Sequence, residues 1–142
     1  MVRLQPLQYP SLFAHVYSSA EAIRQAVASG ALVCREDVWL TSKINSREHG
    51  GSKTRKAINS SCNRIEDVQP LDLMLLHDAC SVCLRVSSMH LIDPLLSRQG
   101  KERRLHAWKE LQQAKAEGRV RSIGVSNFSV KSVSRDSWLN KV

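Results

Sequence analysis

No apolar run in this chain approaches the ~18 residues that a membrane-spanning helix needs. The start, Met1 to Tyr17, breaks its short apolar pieces with Arg3, Gln5, Pro6, Gln8 and Pro10, so it lacks the unbroken apolar core of a secretory signal. Acidic residues are missing there too: none precedes Glu21, a faint trait of organelle leaders. Four cysteines, Cys34, Cys62, Cys80 and Cys83, are too few for a disulfide framework in 142 residues, and in a reducing compartment they stay thiols. Acidic residues number 13 against 21 basic ones, which leaves a net charge of +8. Such an excess bears on association with polyanions and not on fold. With 42% hydrophobic and 24% charged residues, the composition excludes collagen-like and wholly disordered chains. The expectation is a soluble, cytoplasmic chain of one-domain length.

Apolar periodicity then sets out the elements. Ser18 to Ser29 reads as a helix, with Ala20, Ile23 and Val27 on one face, Ser18 and Glu21 as a capping box, and Gly30 as a left-handed cap. Asp37 to Lys43 reads as a short strand buried on both faces. Gly50, Gly51 and Ser52 introduce a second helix running to about Glu66, striped by Ile58, Cys62 and Ile65. Leu71 to His77 is a second strand and Val120 to Val125 a third. Between these lies the clearest helix, Lys101 to Glu117, with Leu105, Trp108, Leu111 and Ala114 on one face and Gly118 at its end. Leu12 to Val16 reads as a possible extra strand. The alternation of helix and strand predicts an α/β fold with parallel strands and right-handed crossovers.

One connection breaks the pattern. Cys80 to Gln99 stands where a strand-to-helix link would ordinarily take ~2–6 residues. It is rich in apolar residues (Val82, Leu84, Val86, Met89, Leu91, Ile92), unlike a solvated loop. It reads as an atypical insertion at 80–99, and the stretch 129–142 as a tail without apolar period. No internal repeat is visible.

Three motifs offer rival chemistry. Cys80-Ser-Val-Cys83 has the spacing of a metal knuckle or redox pair, with His77 and His90 as further ligands, yet no second CxxC or HxxxH accompanies it. The expectation is no metal. Gly50 to Thr54 resembles a phosphate loop but lacks the GxxxxGK[ST] spacing, and reads as a loop entering a helix. The tract from Arg98 to Arg121 carries eight Lys and Arg against three Glu. Its apolar stripe makes it a packing helix with a charged outer face, and no aromatic interleaving supports nucleic-acid binding.

A more specific signal sits at strand ends. Lys43 closes the first strand, His77 the second, and Ser126-Asn127 the third. In parallel barrels and sheets, functional groups gather at the carboxyl ends of strands.

These motifs, taken in order, resemble the aldo-keto reductase family. AWKELQQAKAEGRVRSIGVSNF, Ala107 to Phe128, resembles the helix and strand that end in that family's Ser-Asn. LDLMLLH, Leu71 to His77, resembles the strand ending in its active-site histidine, and VWLTSK, Val38 to Lys43, the strand ending in its active-site lysine. AHVYSSAEAIRQAV, Ala14 to Val27, looks like the segment carrying its active-site tyrosine.

The resemblance implies a partial (β/α)8 TIM barrel of about the first four βα units, a single incomplete domain over 1–142. It implies reduction of an aldehyde or ketone to an alcohol with NADP(H) as cofactor. Tyr17 would be the proton donor, Lys43 the cation that lowers the phenol's pKa, and His77 the residue that orients the carbonyl or takes part in proton transfer. Ser126 and Asn127 would hydrogen-bond the nicotinamide carboxamide.

The chain also departs from the family pattern. Leu12 stands where the family carries an aspartate that pairs with the lysine, and Ser18-Ser19 replace the residues usual after the tyrosine. A full barrel takes ~250 residues. An open half leaves core-facing side chains in water, at ~1.5–3 kcal/mol for each large apolar one, against a net stability of ~5–15 kcal/mol. The expectation is weak or absent turnover by this chain alone. The alternative is a non-catalytic fragment that associates with itself or a partner chain through its open sheet edge.

Overall fold

The computed structural model describes residues 12–79, 94–130 and 133, with backbone alone for 12–16 and 94–99. Three parallel strands, β1 (Thr41–Ile44), β2 (Leu71–Leu76) and β3 (Val120–Val125), form one sheet in the order β1-β2-β3. Helices α1 (Leu12–Ala28), α2 (Gly51–Asn63) and α3 (Pro94–Ala116) precede the three strands in turn. This is an α/β fold whose described sheet does not close, as in part of a barrel.

Register shows how the sheet is packed. Ser42 pairs with Met74 and Met74 with Ile123, while Ile44 pairs with Leu76 and Leu76 with Val125. These side chains face the helices, and Ile44, Met74 and Leu76 are fully buried. Ile58 and Cys62 of α2 and Ala107, Trp108, Leu111 and Ala114 of α3 fill the same core. Strand alternation puts Lys43, Leu73, Leu75, Ser122 and Gly124 on the opposite face, where each is only partly buried.

The amino end of the sheet is tied by charge. Asp72 is 1% exposed and accepts from Arg35 at 2.8 Å, Arg121 at 2.9 Å and the Leu40 N–H at 2.8 Å. Burial alone would raise the Asp72 pKa, but these hydrogen bonds and the two guanidiniums outweigh it and hold the carboxyl below its ordinary value. Arg35 also donates to the carbonyls of Val38, Val68 and Pro70.

Several expected boundaries move. Leu12 to Val16 is the first part of α1 and not a strand, so Ser18 lies inside the helix and does not cap it. Val27 falls off the buried face and is 38% exposed, although Ala20 and Ile23 are buried as expected. The first strand begins at Thr41, because Arg35–Asp37 forms a 3-10 turn in which Asp37 Oδ2 accepts from the Val33 and Cys34 N–H groups. Helix α3 starts at Pro94, so Pro94 to Gln99, read as insertion, is helical. It ends as expected at Gly118, whose φ of 72° favours glycine; Gly118 N–H donates to Lys115 O and Arg119 N–H to Ala114 O. Gly50 caps the start of α2 and the phosphate-loop resemblance leads no further. Cys80, Cys83 and His90 lie outside the described residues, as does most of the 129–142 tail.

Candidate functional site

The parallel register brings the three strand ends side by side. Lys43 pairs with Leu75, and Leu75 with Gly124. One residue further along, the His77 N–H donates to Ile44 O at 2.9 Å and the Ser126 N–H to Leu76 O at 2.8 Å. The ladder thus continues past the strands, and Lys43, His77 and Ser126 share the face that the helices leave uncovered. All three are partly buried.

Asn127 closes this row. Its φ is 56°, a conformation that asparagine tolerates better than most residues. The turn directs its Nδ2 to the His77 carbonyl at 2.9 Å. One asparagine therefore ties the end of β3 to the end of β2, and its Oδ1 is not used in that bond.

The floor of the row is shaped by a small residue. A Cβ built on Gly124 would sit 2.9 Å from Leu75 Cδ2. The Leu75 side chain therefore lies across Gly124, next to Lys43 in register. A larger residue at 124 would displace the Leu75 side chain.

The loop after β1 is held by its own side chains. Asn45 Oδ1 accepts from Arg47 N–H at 3.0 Å, and Glu48 Oε2 from Asn45 N–H at 3.0 Å. Thr54 Oγ1, fully buried in α2, donates to Glu48 O at 2.7 Å. The Glu48 carboxyl is pushed above its ordinary pKa by burial, against the Asn45 bond.

Of the five residues singled out in the sequence, the structure brings four together: Lys43, His77, Ser126 and Asn127. Tyr17 is on α1 and 52% exposed. Among the described residues no hydrogen bond links it to Lys43 or His77. Sequence reading missed His49 and Arg104, both buried close to the strand ends. Arg104 had a signal: it stands on the stripe of Ala107, Trp108, Leu111 and Ala114, where a charge is out of place. His49 had none.

Chemically, the row offers a cation at Lys43, an imidazole at His77, and a hydroxyl with an amide oxygen at Ser126 and Asn127. A cation and a hydrogen-bond donor suit a polarised carbonyl, and a hydroxyl with an amide suits a flat carboxamide.

Comparison with known proteins shows the family. The model of the aldo/keto reductase family matches residues 13–136. An uncharacterized oxidoreductase of Saccharomyces cerevisiae is 32% identical over 106 residues, which cover 75% of this chain and 30% of the relative. A crystal structure of an aldo/keto reductase from Brucella melitensis is similar with a TM-score of 0.64 and 27% identity, covering 89% of this chain and 40% of that one. A Bombyx mori aldo-keto reductase in complex with NADP shares the fold, with a TM-score of 0.60, 24% identity, and coverage of 94% and 47%. The chain spans about a third of the length of the curated relatives it matches. With its strand-end row in the family's order and the family model matching most of its length, this chain belongs to the aldo/keto reductase family.

Proposed function

We propose that this chain carries the lysine–histidine–serine–asparagine side of a site that reduces a small aldehyde or ketone with NADP(H) in the cytoplasm. The observation that supports the reading is the shared face of Lys43, His77 and Ser126 at the carboxyl ends of adjacent parallel strands.

The residues fit the nicotinamide end of the cofactor. Ser126 Oγ would donate to the oxygen of a bound carboxamide and Asn127 Oδ1 would accept from its amide, while Asn127 Nδ2 holds the His77 carbonyl. When bound, the cofactor supplies hydride to the carbonyl carbon. His77 donates a hydrogen bond that orients the carbonyl oxygen. Lys43 stabilises the charge that grows on that oxygen and on the phenol that protonates it. Tyr17 is the phenol of this reading, and reaching the row requires α1 to present it toward Lys43.

The test is titration of the full chain with NADPH. Saturable quenching of tryptophan fluorescence and oxidation of NADPH by an aromatic aldehyde are the expected results. Absence of saturable cofactor binding would overturn the reading.

A second reading has its own observation. In the described sheet both β1 and β3 are edges, and Leu73 and Leu75 are only partly buried. A non-catalytic fragment would use such an edge to join itself or a partner chain. Concentration-dependent oligomers without cofactor binding would favour it.

A further inference from the structure

Behind the strand ends lies a charged cluster that the row above does not use. Arg104 of α3 is 6% exposed, and its Nη1 donates to the Ala79 carbonyl at 2.8 Å. Ala79 follows His77 by two residues. His49, at the close of the β1–α2 connection, is 1% exposed. Burial pushes the His49 pKa down to about 4; Asp78 pulls it up and Arg104 pushes it down further. Groups from the β1–α2 loop, the turn after β2, and α3 therefore meet behind His77.

A buried guanidinium is costly unless its donors are engaged. The remainder of the buried α3 stripe, Ala107, Trp108, Leu111 and Ala114, is set against the apolar core. Arg104 departs from that stripe in charge and reaches the carboxyl end of β2. Its acceptor there is a backbone carbonyl of the turn that carries His77. That turn is anchored through its backbone at both ends. The His77 N–H is held by Ile44 O, the His77 carbonyl by Asn127 Nδ2, and the Ala79 carbonyl by Arg104. The first two fix the strand end, and the third fixes how the chain leaves it.

We infer that Arg104 is a positioning residue for His77: by holding the Ala79 carbonyl it fixes the His77–Ala79 turn, and so the angle at which the imidazole meets a bound carbonyl. This rests on the proposed role of His77 in carbonyl reduction. Arg104 acts through the turn and touches no substrate.

The experiment uses the full chain with histidines labelled with nitrogen-15, and compares wild type with Arg104→Met, Arg104→Gln and Arg104→Lys. His77→Gln identifies the His77 ring signals. With Met or Gln the His77 ring signals move and the His49 pKa rises, while the ring signals of His106, exposed on α3, stay in place. Lysine retains charge and a donor, and returns the His77 signals toward wild type. In turnover, Met and Gln lower kcat by about tenfold with NADPH affinity unchanged, a split that general destabilisation does not produce. If Arg104→Met does not fold, Arg104→Gln decides by the same signals. Folded Met or Gln variants whose His77 signals stay in place would overturn the inference. A wild-type chain without turnover would defeat the proposed function, and the ring signals would still judge Arg104.

Discussion

At the amino end of the sheet, Arg35 and Arg121 close on a buried Asp72, whereas at the carboxyl end Lys43, His77 and Ser126 stand on a partly open face. Both ends are polar, but the polarity is used differently. Asp72 accepts from two guanidiniums and a backbone N–H, and Arg35 adds three backbone carbonyls. Those groups answer one another, so the cluster fixes the chain. At the carboxyl end the backbone is tied, by His77 N–H, Ser126 N–H and Asn127, while the side chains point to a face the helices do not cover. In barrels of parallel strands the carboxyl end carries chemistry and the amino end carries stability.

Asp72→Ala breaks the first half of that comparison and carries the largest expected effect on stability. It leaves Arg35, 12% exposed at its side chain, without its carboxylate. The loss is about 3 kcal/mol, read from urea midpoints. A loss below about 0.5 kcal/mol would show that the amino end is not the anchor.

Acid titration comes next. The His49 pKa falls from 6.5 to about 4 in the fold, chiefly through burial, so between those values the unfolded chain binds a proton that the folded chain does not. Stability therefore drops as pH falls across that window, by about 3 kcal/mol. His49→Gln flattens this slope in urea titrations. Asp72 acts lower on the scale. Its carboxyl sits below the ordinary 3.8 in the fold, so its contribution is full above 3.8 and is lost as pH falls further.

Gly124→Ala has a smaller expected effect. The new methyl meets Leu75 Cδ2, the far end of a flexible side chain, and Leu75 gives way. The cost is about 1 kcal/mol in stability. The sharper readout is a rise in KM for a bulky aldehyde over a small one, since the floor of the row has moved.

Much of the fold was legible because apolar-rich strand segments alternate with amphipathic helices along the chain. Leu71 to His77 and Val120 to Val125 read as strands, and the structure finds β2 and β3 there. Val38-Trp39-Leu40 looked equally strand-like, but Trp39 is 62% exposed and the preceding residues are taken by the Asp37 turn. Leu12 to Val16 is too short for periodicity to separate strand from helix, and continuity with Ala20 and Ile23 decides for helix. At the site, the row of Lys43, His77 and Ser126-Asn127 was readable because strand ends are marked in the sequence. A charge on the apolar stripe marks Arg104 in the sequence, but its bond to Ala79 and the burial of His49 are long-range, and no local pattern announces either.

Lys43→Met tests the other half of the comparison, and with it the central claim, most directly. Lys43 is partly buried at the edge strand, and methionine retains most of its stem, so the urea midpoint stays within about 0.5 kcal/mol of wild type. NADPH-dependent reduction of an aromatic aldehyde is measured on both chains in parallel. The account predicts a fall of about 100-fold in kcat with folding intact. Equal turnover by wild type and a folded Lys43→Met chain would contradict it.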